Sequence, residues 1–494
     1  MTPSPLTPPA SSSAKHRKPH PVATRPGPRT TLAVLVGRAT SATVRRLGIG
    51  GGTSLPGLIA RGIDPKLTTR LSAQLRHGSI VVTGTNGKTT TSGMVGAVLR
   101  GAGMRVWQNR EGSNLARGIA TALLKHAHAS GSLRDGGDAA FVFELDEAAF
   151  RRVLPELRPK VVLVTNLFRD QLDRYGEVDT VAERWREGLK RVDATTTLIA
   201  NADDPSVAAL ADIHPGPVLF YGVNEAPSVV EGDARIQVID TRTCPRCRGL
   251  LSYSVRYYSH VGHWSCTHCG FARPTPTVFA SAVTLASLDG AQLTLTRPDG
   301  TAQARITLPG LYNVYNAVAA AAVGYVEGTP LSPAVEALAR FSPAFGRAER
   351  IQARGRTVQI LLAKNPTGLN EVLRALGADG RRHHLLMLLN DRAADGEDVS
   401  WIWDADFEQV PALAERVSAG GTRAFDMALR LKYAGLTPYA VESDIPKAFE
   451  RALEATPVGE SLYVIPTYTA MLAVRGELSR LGFAPRYWEL PQDE

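Results

Sequence analysis

Cysteine is scarce in this sequence: four residues among 494, too few for a disulfide-scaffolded secreted protein. No apolar run approaches the ~18 residues of a membrane span, so no transmembrane segment is expected. Acidic side chains are missing from the first 63 residues, which hold nine basic ones (Lys15, Arg17, Lys18, Arg25, Arg29, Arg38, Arg45, Arg46, Arg61). The net charge of +9 therefore belongs to the N-terminal segment, and the rest of the chain balances. A nucleic-acid protein spreads its cations over a folded face, so the pI near 9.4 does not point to one. An apolar fraction of 44% is that of a globular protein, and the length suits roughly three domains of ~150 residues. These features predict a cytoplasmic multidomain protein.

Residues 1–30 carry eight prolines and Ser11-Ser12-Ser13. They offer too little apolar surface to offset ordering entropy and read as a disordered basic tail. A signal peptide is rejected, because the apolar stretch Leu32 to Val36 is short and stops at Arg38. From Thr31, Leu32, Leu35, Val36, Ala39, Thr43 and Leu47 recur at helical spacing. This is either a helix packed on the first domain or, as the minority reading, a basic helix near anionic lipid.

Short β-branched runs then alternate with helical patterns. Ile80 to Thr83, Ala139 to Leu145, Val161 to Thr165 and Thr197 to Ala200 read as buried strands, which implies an α/β fold with a mainly parallel sheet. A Cys-rich insertion at about 243–273, a β-rich stretch to Thr307 and an Ala-rich helix from Asn316 to Tyr325 follow. A second alternation, with strands Val358 to Leu362, Leu385 to Leu389 and Leu462 to Ile465, places a second, Rossmann-like α/β domain at 351–494. The first domain is then 31–350.

Strand Ile80 to Thr83 runs into Gly84-Thr85-Asn86-Gly87-Lys88-Thr89-Thr90-Thr91 and a helical stretch to Arg100. Glycines let backbone N–H groups curl around phosphate, and the helix N-terminus adds its positive dipole end. Lys88 is placed for terminal phosphates and the Thr89 hydroxyl for Mg²⁺, although Val82 stands where the full phosphate-loop pattern has its first glycine. Cys244-x-x-Cys247 and Cys266-x-x-Cys269, eighteen residues apart, have zinc-ribbon spacing. Four thiolates close a structural Zn²⁺ shell; two disulfides or free thiols are the competing readings. His260, His263 and His268 are candidate substitute ligands. Tyr253, Tyr257, Tyr258 and Trp264 beside Arg246, Arg248 and Arg256 leave open a nucleic-acid or protein binding module. A ribbon that takes all four cysteines leaves none for thioester chemistry.

The loop GTNGKTT resembles that of the Mur ligases and folylpolyglutamate synthases, which use ATP to join an amine to a carboxylate. Further segments are similar to that family: FELDEAAF with Glu144 at the family's metal-binding glutamate, VVLVTNLFRDQLDRYG from Val161 to Gly176, NADDP from Asn201 to Pro205, Gly310 to Asn316 with the adenine-side Asn313 and Asn316, and PAFGR from Pro343 to Arg347. The resemblance implies ATP binding by Gly84, Thr85, Asn86, Gly87, Lys88, Thr89, Thr90, Asn313, Asn316 and Arg347, and Mg²⁺ binding by Thr89 and Glu144. Two departures stand out: Gln171 replaces the family's metal-binding histidine, and between Gly176 and Arg191 only Lys190 could stand for its carbamylated lysine. Lys364 and Asn365 lie where Mur ligases usually carry a D-x-AHNP motif.

Only about fifty residues precede the phosphate-loop strand after the tail, too few for a UDP-binding domain. A Mur-type ATPase without one, with a ribbon and the segments LLAKNPTGLN (361–370) and LNDRAADGEDVSWIWDADFE (389–408), resembles the MurT subunits of lipid II isoglutaminyl synthases. That resemblance implies amidation of the D-glutamate α-carboxylate of lipid II to D-isoglutamine through an acyl phosphate. The implied partner is a GatD-type glutaminase that supplies ammonia in a heterodimer, with the lipid-linked substrate met at the inner membrane surface. Asp398 matches a residue that orients the partner's histidine; from composition alone, its loop is as readily a solvated acidic loop. A Mur-like or folylpolyglutamate-type amino-acid ligase is the alternative enzyme.

Overall fold

The computed structural model describes residues 26–46, 54–109, 113–170, 178–227, 240–342 and 347–485, without the side chains of Arg45, Arg347 and Ala348. Most of the N-terminal tail, Gln171 and Pro343 to Gly346 lie outside the described residues.

Seventeen strands form three sheets: β1 (Ser79–Thr83), β2 (Val106–Gln108), β3 (Ala140–Glu144), β4 (Val161–Val164), β5 (Thr197–Asn201), β6 (Val218–Val223), β7 (Leu251–Tyr258), β8 (Val261–Cys266), β9 (Val278–Leu285), β10 (Ala291–Arg297), β11 (Gly300–Ile306), β12 (Arg347–Ala353), β13 (Arg356–Leu361), β14 (His383–Leu388), β15 (Ala414–Gly420), β16 (Val441–Glu442) and β17 (Ser461–Pro466). The first sheet runs β11-β10-β9-β6-β5-β4-β1-β3-β2 and is parallel from β9 to β2. Its central strands are buried almost throughout, with apolar middles, because helices cover both faces. Ile80 and Val82 enter one core with Leu163 and Ile199, whereas Val81 enters the other with Phe141 and Phe143. At the edge the sheet turns antiparallel, and β10 alternates buried with more exposed positions.

Helix Leu311–Val326 packs against helix Lys88–Gly101. Its run Ala319 to Ala322 is fully buried, small side chains permitting close approach of the two helices. The N-terminal helix, Pro28–Arg46, buries Ala33 and Val34 in the second core while Leu32 and Leu35 face outward. It is thus packed on the first domain, as the first of its two readings held.

The second sheet runs β12-β13-β17-β14-β15-β16, parallel except for the β12–β13 hairpin. It opens with β12 at Arg347. Strand β15 was not foreseen: AERVSAG has two adjacent charges and a terminal glycine, so no apolar run marks it. Both sheets are mainly parallel, the architecture expected. The two halves meet through Asn86 with Asn365, Lys364 with Asp170, Arg169 with Asp404, and Arg374 with the Tyr257 carbonyl.

Candidate active site

The phosphate-type loop sits where parallel strands expose their C-terminal ends, the usual crevice of open α/β sheets. Gly84 (φ +142°) and Gly87 (φ +82°) have backbone conformations that L side chains rarely adopt. A Cβ on Gly84 would fall 1.9 Å from Thr165 Oγ1, and one on Gly87 would fall 2.4 Å from Asn316 Oδ1. Asn166 Oδ1 accepts from the Asn86 amide at 2.8 Å, and the Thr85 hydroxyl donates to the Phe168 carbonyl. The loop is therefore preshaped by β4 and its following segment.

Lys88 opens the helix after the loop. Its Nζ donates to the carbonyls of Gly84 (2.6 Å) and Thr85 (3.2 Å) and to Glu147 Oε1 (2.8 Å). Burial works against its charge, but Glu147, Asp146 and Glu144 outweigh burial and raise its pKa, so it is held as a cation. Thr89 Oγ1 donates to Glu144 Oε2 at 2.6 Å, while Asn109 and Asn114 fix the Glu144 backbone and Oε1. A hydroxyl and a carboxylate oxygen thus converge beside a cation on a glycine loop, a donor set of the hard oxygen type that suits Mg²⁺. The acidic cluster expected at 144–147 is not one ligand set: Asp146 caps the next helix through the Ala148 amide, and Glu147 serves Lys88.

Thr90 is buried in the first helical turn. Asn316 accepts from Thr91 Oγ1 and donates to Asn313 Oδ1, and Asn313 donates to the Pro309 carbonyl. These two asparagines brace the loop's second glycine from behind. Arg347 begins β12. Lys190 is exposed beyond its helix.

Three features of the site carry no strong local pattern. Glu147, the partner of Lys88, lay in a recognised motif but had no role assigned. Asn86 and Asn365 exchange reciprocal amide bonds (2.9 and 3.3 Å), and Lys364 Nζ lies 2.5 Å from Asp170 Oδ2. The KNP segment therefore meets the phosphate loop from the second domain, a meeting visible only once the chain is folded.

The four cysteines are free, and their sulfurs lie within 4.8 Å of one another, with Cys244–Cys269 at 3.7 Å and Cys247–Cys266 at 3.5 Å. Zn–S bonds of ~2.3 Å give tetrahedral S···S edges of ~3.8 Å, so the cluster can hold such an ion. Backbone amides of Cys269 and His268 bring the Cys266 thiol down to about 6, so this sulfur is the first thiolate of the cluster, whereas burial and the neighbouring thiols raise Cys244 and Cys247. The histidine substitutes are excluded: His263 faces the Val223 carbonyl at 3.0 Å, and the four cysteines are the one metal-ligand group of this kind among the described residues. His260, fully buried, is 3.2 Å from the equally buried Asp204, which caps helix Pro205–Ala208 within NADDP. The neighbouring Asp203 accepts from Arg273 and Tyr315. The ribbon hairpin thus ties into the ATPase half. Tyr257, Tyr258 and Trp264 are buried, and Arg246 and Arg248 pair with Asp212 and Asp179. Three of the four aromatics are therefore withdrawn from any stacking on bases, and two of the three arginines are already paired, which weighs against the nucleic-acid reading.

Asp398 lies apart from the loop, on an exposed segment, and lines a depression with Trp403, Arg423 and Asp426. Hydrogen bonds from Ser400 hold its carboxyl below the ordinary range, so it is ionised. Beside it, helix Ala424–Tyr433 exposes Phe425, Leu429 and Tyr433 at four-residue spacing, and Tyr433 meets the Trp403 ring.

Two family models match the chain: the Mur ligase middle domain over residues 82–244 and the MurT ligase C-terminal domain over 362–471. The chain is similar to the lipid II isoglutaminyl synthase (glutamine-hydrolyzing) subunit MurT of Staphylococcus aureus, at 33% identity over 91% of this chain and 97% of that one. It is likewise similar to the subunit of that name from Streptococcus pneumoniae, at 31% identity over 90% and 96%. Among solved structures it resembles a pseudomurein peptide ligase type C from Methanothermus fervidus, with a TM-score of 0.60 and 22% identity over 82% of this chain and 78% of that one. The last comparison speaks to the fold alone, a Mur-ligase-like α/β architecture.

Proposed function

Because the chain belongs to the MurT family of lipid II isoglutaminyl synthase subunits, we propose that it is a ligase of peptidoglycan synthesis that amidates the D-glutamate α-carboxylate of lipid II. A carboxylate resists amine attack because it is anionic and lacks a good leaving group. Transfer of the ATP γ-phosphoryl group to its oxygen gives an acyl phosphate. The ammonia nitrogen then forms a C–N bond, the C–O bond to phosphorus breaks, and phosphate leaves with the electron pair and one proton from nitrogen.

The single observation that carries this reading is Lys88, buried and charged between the Gly84 carbonyl and Glu147. Phosphoryl transfer is mostly positioning and charge neutralisation. Lys88 supplies a fixed cation, Gly84 to Gly87 turn backbone toward phosphate oxygens, and Asn313 and Asn316 keep the loop's shape. Thr89 and Glu144 would hold Mg²⁺, whose charge neutralises phosphate oxygens when bound. Cys244, Cys247, Cys266 and Cys269 would hold Zn²⁺ in a closed, structural site.

No cysteine is left for glutamine hydrolysis, so ammonia comes from a glutaminase partner of the GatD type. Asp398 is the residue offered to that partner's histidine, and its ionised, exposed carboxylate suits the role. No helix among the described residues is long and apolar enough to cross a membrane. The protein works in the cytoplasm, reaching lipid II at the inner membrane face. Mass spectrometry of lipid II incubated with this chain, a glutaminase, ATP, Mg²⁺ and ¹⁵N-amide glutamine tests the reading. A one-nitrogen amidation that disappears with Lys88→Ala supports it; no ADP from muropeptide and ammonium salt overturns it.

A further inference from the structure

Beside Thr85 of the phosphate loop lies a small cavity of about 10 Å³, lined also by Glu147, Phe168, Arg169, Asp170, Val178 and Val181, room for a single water-sized molecule. Two of its walls are acidic, and each has one buried carboxylate oxygen with no hydrogen-bond partner among the described residues: Glu147 Oε2 and Asp170 Oδ1. Their other oxygens are taken, Glu147 Oε1 by Lys88 and Asp170 Oδ2 by Lys364. Both residues are more than nine-tenths buried. Orphan acceptors at such depth are costly unless a ligand completes them.

The ligand must be small, must donate hydrogen bonds to two acceptors, must be uncharged to sit beside Arg169, and must tolerate the apolar walls of Phe168, Val178 and Val181. Mg²⁺ fits poorly, since it demands octahedral oxygen ligation and keeps several waters, for which the cavity has no space. We propose that this cavity binds one molecule of neutral ammonia, held by N–H donation to Glu147 Oε2 and Asp170 Oδ1. With two N–H bonds committed to carboxylates, the nitrogen lone pair of ammonia stays free for attack. The cavity shares Thr85 and Glu147 with the cradle of Lys88, so the nucleophile waits one side chain from the phosphate loop. Asp170 and Val181 become positioning residues for the nitrogen donor. This assignment rests on the amidation reading above.

The test uses the full chain with ammonium chloride as nitrogen source, and separately with its glutaminase partner and glutamine. Asp170→Asn weakens an acceptor, and Val181→Ile fills the space with an apolar group. In both variants the KM for ammonium chloride should rise tenfold or more, and in Val181→Ile, which leaves the Lys364–Asp170 pair untouched, the KM for ATP and for Mg²⁺ should stay within twofold of the parent. Positional isotope exchange in ¹⁸O-labelled ATP, driven by the muropeptide carboxylate without ammonia, should persist. An unchanged ammonium KM in Val181→Ile while exchange and amidation proceed overturns the site and leaves the amidation reading intact. A raised Mg²⁺ requirement in place of a raised ammonium KM overturns it in favour of a divalent-ion site. Loss of both exchange and amidation in the parent chain itself would bring down the amidation reading and the site with it.

Discussion

Lys88 Nζ and Glu147 Oε1 stand 2.8 Å apart with both side chains buried. Removing one member of such a pair strands the other charge. Glu147→Ala is therefore expected to cost about 3–5 kcal/mol of stability, read as a fall in melting temperature. Lys88→Ala should cut muropeptide-dependent ADP formation by about 10²-fold or more, the usual scale for losing a preorganised charge at a transition state. Restored stability in the Lys88→Ala/Glu147→Ala double variant would show that the pair is coupled.

The cysteine cluster predicts a metal content. Purified protein should contain stoichiometric zinc by plasma mass spectrometry, and Cys266→Ser should lose it together with ribbon structure. Since Trp264 donates to the Ala202 carbonyl and His260 pairs with Asp204, the same variant should lower the melting temperature of the ATPase half. Full zinc occupancy in Cys266→Ser would contradict this account.

His126 stacks on Trp107 with ring centroids 4.3 Å apart, and burial, then Arg134 and Lys125, lower its pKa to about 4. The unfolded chain therefore takes up a proton below pH ~6.5 that the folded chain refuses until pH ~4, so stability falls as pH drops through that window. Denaturant midpoints should decline between pH 6.5 and 5 by the equivalent of about 1–2 kcal/mol from this group, and His126→Phe should flatten the decline.

Asp398→Asn keeps the loop's shape but removes the charge offered to the partner. Glutamine-dependent synthesis should be abolished, whereas synthesis from ammonium chloride should remain near the parent rate. Equal loss with both nitrogen sources would refute the role.

Phe425, Leu429 and Tyr433 form an apolar stripe bordering the Asp398 depression, with Phe425 73% and Tyr433 72% exposed. Aromatic anchors of this kind dominate interfaces. Phe425→Asp should weaken glutaminase binding tenfold or more by calorimetry while leaving ammonium-driven turnover unchanged.

Much of the fold was legible because parallel strands write themselves as unbroken apolar runs: β1, β3, β4 and β5 were all visible in the sequence. Edge strand β2 is three residues long and β15 starts with charged residues, so neither stood out. In the site, glycine spacing exposed the loop, and the Cys pairs exposed the ribbon, since both depend on local pattern. The Asn86–Asn365 and Lys364–Asp170 pairs join residues nearly two hundred or more positions apart, and no periodicity encodes that distance. His260 was a candidate substitute ligand because a histidine near cysteines looks alike whether it faces a metal or an aspartate.

The reciprocal amide pair of Asn86 and Asn365, reinforced by Lys364 on Asp170, fastens the second half of the molecule directly onto the phosphate loop. Each such bond contributes only about 0.5–1.5 kcal/mol net, so the fastening is cheap to break and remake, and a side chain that touches the loop from the far half feels any change in the loop's backbone.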